Sequence, residues 1–144
     1  MAVGIQVVFD CDDPARLARF WAEALDYREE PPPPGFDDWP AFLRSVGVPE
    51  EEWNRYSAVV DPAGVGPRLF FQKVPEGKVV KNRVHLDLAV GGPRGTPDEE
   101  RRRNVEAAVA RLQDLGARVL GPKEEMGAYW VVMQDPEGNE FCLH

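Results

Sequence analysis

The chain of 144 residues is long enough for one compact domain or for two small packed halves. With 43% hydrophobic and 29% charged residues it can build a core, which excludes a disordered chain. Its net charge of −8, from 17 basic and 25 acidic residues, repels phosphate backbones and anionic lipid, so neither nucleic acid nor a membrane surface is expected as a partner. No apolar run is long enough to cross a bilayer and the amino end has no basic region followed by an apolar segment. Two cysteines, Cys11 and Cys142, make no disulfide framework, and the expected location is the cytoplasm.

Val3 to Phe9 alternates as a strand, with Ile5, Val7 and Phe9 on one face and Gln6, Val8 and Asp10 on the other. Asp13-Pro14 starts a helix whose apolar stripe is Leu17, Phe20, Trp21, Ala24 and Leu25. Pro31 to Pro34 then ends regular structure. Trp39, Phe42 and Leu43 mark a short helix stopped near Gly47, and a further turn follows Pro49. Tyr56 to Val60 and Arg68 to Val74 read as strands on either side of the turn Asp61-Pro62-Ala63-Gly64. The polar stretch Pro75 to Lys81 links two halves.

The second half repeats the order. Arg83 to Val90 alternates, with Val84, Leu86, Leu88 and Val90 opposite Arg83, His85, Asp87 and Ala89. Thr96-Pro97-Asp98-Glu99 reads as a capped helix start, Val105, Ala108, Val109, Leu112 and Leu115 as the buried stripe, and Gly116 as the stop. The basic run Arg101 to Arg103, directly after three acidic residues, is a solvated helix face. Ala117 to Leu120, Ala128 to Gln134 and Glu140 to Leu143 supply the remaining strands. Gln6 and His85 hold matching places 79 residues apart, and the two Asp-Pro-x-Gly turns start 74 apart, at Asp61 and Asp135. Duplication explains this better than coincidence. The expectation is α+β: one domain over 1–144 made of paired βαβββ modules, about 2–75 and about 82–144, with helices on the outer face.

A sheet covered by a helix on one face leaves the other alternation exposed: Gln6, Val8 and Asp10; Phe70 and Gln72; His85 and Asp87; Cys142 and His144. If the sheets curl, this face becomes a cavity with a few placed polar groups, the usual character of a small-molecule site. If they stay flat, it is a solvent face. Trp130 matches Tyr56 in position, and Trp39 and Trp53 form either a lid or the anchors of a long insert.

The segments Asp13 to Trp21, Leu69-Phe70-Phe71-Gln72, Val84 to Leu88, Leu115-Gly116-Ala117 and Asp135 to Cys142 together resemble the glyoxalase/bleomycin-resistance/extradiol-dioxygenase superfamily, the vicinal oxygen chelate proteins, and within it the glyoxalase-like branch. The resemblance implies a cupped mixed sheet and frequent dimerisation, so a homodimer is expected. In metal-dependent members, one residue from the first and one from the last strand of each module ligates the ion. Those positions here are Gln6, Phe70, His85 and Cys142, a degenerate set in which Gln6 is a weak donor and Phe70 none. No cofactor is therefore expected, with a divalent metal on Gln6, His85 and Cys142 as the minor case. The leading expectation is a small organic ligand held by Gln6, Val8, Phe70, Gln72, His85, Asp87, Trp130 and Cys142. The alternatives are a metal-dependent lyase, isomerase or dioxygenase, and a non-catalytic interaction protein.

Overall fold

A computed structural model describes residues 1–144 and divides them into two compact units, 1–77 and 78–144. No helix is long and apolar enough to cross a membrane. The first unit runs β1 (Val7–Cys11), α1 (Pro14–Leu25), β2 (Arg28–Glu29), α2 (Trp39–Ser45), a 3₁₀ turn (Glu50–Arg55), β3 (Tyr56–Val60) and β4 (Leu69–Lys73). The second runs β5 (Asp87–Leu88), α3 (Asp98–Asp114), β6 (Arg118–Glu125), β7 (Ala128–Gln134) and β8 (Glu140–Leu143). Each unit is a four-stranded mixed sheet, ordered β1-β4-β3-β2 in one and β5-β8-β7-β6 in the other. The two orders are the same order. In both, the last strand returns to lie parallel to the first, and the others pair antiparallel.

In the first unit Asp13 caps α1 by accepting from the Arg16 amide, and Pro14 fills the first turn, where no amide partner is needed. The helix buries Leu17, Phe20, Trp21 and Ala24 against β3 and β4. Phe9 sits between Trp21 and Phe71, with ring centroids 5.1 and 5.2 Å away. Each fully buried large side chain here contributes roughly 1.5–3 kcal/mol by leaving water. The second unit repeats the scheme with Val105, Ala108 and Leu112 of α3 and Met133, Phe141 and Leu143 of the sheet. The repeated turns use one chemistry: Asp61 accepts from the amides of Ala63, Val65 and Gly66, and Asp135 from those of Glu137 and Asn139.

Several boundaries differ from the sequence expectation. The leading strands are short because their partners are short: β1 begins at Val7, opposite the first residue of β4, and only Asp87 and Leu88 find partners on β8. Val3, Ile5 and Val84 are consequently exposed. Thr96 does not cap α3, since its hydroxyl donates to the Pro93 carbonyl and Pro97 takes the cap position. Leu115, just past the end of α3, is also exposed, leaving the stripe narrower than expected. The strand expected to end at Leu120 continues to Glu125, because β6 is an edge strand: Pro122 needs no ladder amide on its open side, and a bulge between Val119 and Gly121 absorbs the irregularity. The two-residue strand β2, next to the proline run, was not anticipated.

Glu140 anchors the start of the second unit. Its carboxylate accepts from the Asn82 amide at 3.0 Å and pairs with the Lys78 ammonium at 3.0 Å. Burial opposes its charge, but these hydrogen bonds outweigh burial and hold the carboxyl down at about 2. A depressed carboxyl supplies stability that is complete above the ordinary carboxyl range and is lost as pH falls through the folded value. Thermal melts between pH 6 and pH 2 should therefore show a loss of stability below about pH 4.5 that Glu140→Gln lacks. At neutral pH the same substitution should cost on the order of 1–3 kcal/mol. Parallel pH profiles for the two proteins would refute this role.

Candidate functional site

The parallel pairing of β5 and β8 sets Asp87 directly beside Cys142. His85 lies two residues before Asp87, on the same alternation, and its Nε2 comes within 3.3 Å of Asp87 Oδ1. One donor atom from each of His85, Asp87 and Cys142 lies within 4.8 Å of the others. Cys142 is buried, whereas the His85 and Asp87 side chains are 43% and 56% exposed. The sulfur is thus fixed by its strand, and the two other donors have room to rotate.

These three residues line a pocket of about 990 Å³ whose entire lining comes from the second unit. Trp130 and Val132 of β7 contribute to its wall, as do His144 and the first turn of α3 with Arg101 and Arg102. Arg102 lies over the Tyr129 ring, 4.1 Å from its centroid, and pairs with Glu124 at 3.1 Å. The basic run read as a solvated helix face therefore turns one arginine onto the β6–β7 hairpin. That hairpin closes through Met126 and Gly127, both with positive φ, the two-residue turn that suits strand twist. Tyr129 did not stand out in the sequence and Arg102 did so only within a solvated run, because a helix residue and a strand residue 27 positions apart meet only through the fold.

The remaining expected residues lie on the first unit. Gln6 precedes β1 and its amide oxygen accepts from Arg68 at 2.9 Å; Arg68 also binds Glu30 through two hydrogen bonds. Val8 is half exposed and pairs in register with Phe70, whose ring stacks on Tyr56 at 5.5 Å. Gln72 donates to Asp10 at 2.7 Å. Trp39 donates to the Glu30 carbonyl and Trp53 to the Val48 carbonyl, so both indole N–H groups tie the long insert to its own backbone. His85, Asp87, Trp130 and Cys142 are thus brought to one pocket, while Gln6, Val8, Phe70 and Gln72 form a separately paired face of the first unit's sheet.

The two modules correspond in strand order and in pairing register. Val8 opposite Phe70 in the first corresponds to Asp87 opposite Cys142 in the second. An apolar pair in one copy is a pair of donors in the other. A repeated βαβββ module is the architecture of a class, the vicinal oxygen chelate proteins. The chain belongs to the glyoxalase-like domain family, whose profile matches residues 6–144.

Solved structures agree on the fold. A hypothetical protein of S. aureus, SA1046, is 17% identical with a TM-score of 0.60, over 99% of this chain and 96% of that one. A glyoxalase/bleomycin resistance protein/dioxygenase family enzyme from Burkholderia phytofirmans is 16% identical with a TM-score of 0.59, over 96% and 94%. The fosfomycin resistance protein FosX of Listeria monocytogenes, solved as a mutant with Mn(II) and dihydroxypropylphosphonic acid, is 12% identical with a TM-score of 0.63, over 100% and 90%. A comparison with the curated proteins found no match.

The four ligand positions implied by the family do not fit a metal as a set. Gln6 has its oxygen engaged by Arg68, and Phe70 has no donor atom. His85 and Cys142 fit, and Asp87 joins them in a candidate three-donor cluster for a divalent ion.

Burial first, and then the charge and hydrogen bond of Asp87, push the Cys142 thiol above its ordinary range. Removing the carboxylate lowers that value and raises the thiolate fraction at a given pH. With chelator present, Asp87→Asn should accelerate alkylation of Cys142 at pH 8 several-fold, read by peptide mass spectrometry with Cys11 as the internal reference. An unchanged rate would show that Asp87 does not act on the sulfur.

Proposed function

We propose that the protein binds a small organic molecule in the pocket over its second sheet. The observation that carries this reading is the lining itself: the Trp130 indole and Val132 beside the polar groups of His85, Asp87 and Cys142. Ligand pockets combine apolar walls with a few placed polar groups in this way. Trp130 supplies area for a planar or ring-bearing guest, and His85 with Asp87 supplies a donor and an acceptor to orient it. The corresponding face of the first unit has Gln6, Gln72 and Phe70 already engaged with neighbours, so the reading rests on the second module. The two units together are read as one glyoxalase-like domain. The protein is further read as cytoplasmic and homodimeric, the latter because β6 is a long edge strand with one row of backbone groups unpaired by its own sheet.

A second reading is a metal-dependent lyase, isomerase or dioxygenase. It is favoured by the His85, Asp87 and Cys142 cluster and by the Mn(II) and vicinal diol bound in the Listeria relative.

Native mass spectrometry of the full chain against a metabolite library should detect one guest per chain. Trp130→Ala should weaken that guest about tenfold, a loss of about 1.4 kcal/mol. An affinity unaltered by Trp130→Ala and by His85→Ala together would place the guest outside this pocket and defeat the proposal.

A further inference from the structure

Most ionic groups around the pocket of the second unit already have partners. Glu140 is bound to Lys78, Glu124 to Arg102 and Glu99 to Arg103, and Asp87 lies against the His85 imidazole. Two lining cations remain, Arg101 and Lys81, and neither has a carboxylate within ion-pair distance. Lys81 is exposed and its ammonium reaches only the Asn82 carbonyl, at 3.4 Å. Arg101 is half-buried on the first turns of α3 and makes no ion pair.

The stem of Arg101 is held in place. A Cβ on Gly91 would stand 2.6 Å from Arg101 Cγ, so only glycine at that position leaves room for the side chain to lie where it does. Gly91 is itself fixed, its amide donating to the His144 carbonyl at 2.9 Å and its carbonyl accepting from the Asn104 side chain at 3.0 Å. A guanidinium carries five donors in a planar fork and cannot shed its charge. One that is half-buried, held by its stem and without an anionic partner offers that fork to whatever enters the pocket.

We infer that Arg101 is the anion anchor of this pocket, and that the guest is a ring compound bearing a carboxylate, with its ring against Trp130 and its carboxylate on the guanidinium. The inference rests on the pocket being the small-molecule site and names the class of molecule it takes. The fork matches a carboxylate through two parallel hydrogen bonds, and both members of the pair are charged. Trp130, in the same lining, supplies the aromatic surface for the ring.

The acidic groups nearby limit the guest to one negative charge. Asp98 lies one turn before Arg101 on α3, is exposed and makes no ion pair, and Asp87 belongs to the same lining. A phosphate monoester brings nearly two charges at neutral pH and meets more repulsion from these carboxylates than a carboxylate does.

The test titrates the full chain with 2-naphthoate, with its neutral analogue 2-naphthamide and with 2-naphthyl phosphate, by calorimetry or ligand-observed NMR. Naphthoate should bind about tenfold tighter than naphthamide, and the phosphate no tighter than naphthoate. Arg101→Gln should abolish the preference by weakening naphthoate about tenfold while naphthamide binds as before, which also reports an intact pocket. Arg94→Gln removes the same charge from an exposed residue outside the lining and should leave both affinities in place. Trp130→Ala should weaken both probes. A preference for naphthoate that survives Arg101→Gln, tighter binding of the phosphate, or no binding of any probe would overturn the inference. Equal affinity for naphthoate and naphthamide, with both weakened by Trp130→Ala, would overturn the anchor and leave the pocket reading standing.

Discussion

The parallel pairing of the last strand of each module with its first is the constraint on which the rest depends. A parallel neighbour needs a crossover, and here the crossover is a helix and two strands, so residues far apart in sequence are pinned side by side. His85 and Cys142 are 57 positions apart, yet register alone sets Asp87 opposite Cys142. The backbone amide of Cys142 donates to the Leu86 carbonyl at 2.9 Å and that of His144 to Leu88 at 3.0 Å, so two ladder bonds fix the relative height of the donors. A slip of one residue would turn Cys142 to the helix-packed face and Phe141 to the pocket. Phe141 is fully buried, so the core itself defends the register that builds the site.

The chain contains the same scaffold twice, and the two modules carry different side chains on it. Position for position, Gln6, Val8, Tyr56 and Phe70 stand in the first module where His85, Asp87, Trp130 and Cys142 stand in the second. The first set satisfies itself through the Arg68–Gln6 hydrogen bond and the Tyr56–Phe70 stack. The second keeps donors facing a pocket. Insertions follow the same division: the segment between β2 and β3 holds a helix and a 3₁₀ turn, whereas β6 and β7 are joined by a two-residue turn. The long insert spends its tryptophan N–H groups on its own backbone, which makes it part of the first unit's covering.

The elements with strong local chemistry were legible. Asp13-Pro14 capped a helix as expected, and Tyr56–Val60, Ala128–Gln134 and Glu140–Leu143 are strands to the residue. The duplication could be counted from two turns and two leading strands. What resisted reading depends on partners rather than on local pattern. The alternation expected over Arg83 to Val90 holds from Leu86 onward, where Leu86 and Leu88 are shielded, but fails at the exposed Val84, and only the stretch that meets β8 becomes a strand. Gly121-Pro122 reads as a breaker unless one knows that the strand lies at an edge. Thr96 carries the sequence signature of a cap, but the Pro93 carbonyl captures its hydroxyl. For the site, alternation identified His85, Asp87 and Cys142 as sharing a face. It could not say that His85 would bend onto Asp87, nor that Arg102 would reach the ring of Tyr129.

The chemistry of the site follows from an asymmetry in how its donors are held. Cys142 sits in a strand paired on both sides, between β5 and β7, and cannot move without breaking the sheet. His85 precedes β5 and is free of the ladder, and Asp87 sits in an edge strand with a half-exposed side chain. A sulfur on a central strand beside two half-exposed partners gives the floor one held group and two adjustable ones. Asp87 and His85 are about half solvated, so turning either side chain disturbs little packing. The first module has no comparable freedom, since its matching side chains are a valine, a phenylalanine stacked on a tyrosine and a glutamine held by an arginine. The fold treats both modules alike; the side chains at four positions are what set their sheet faces apart.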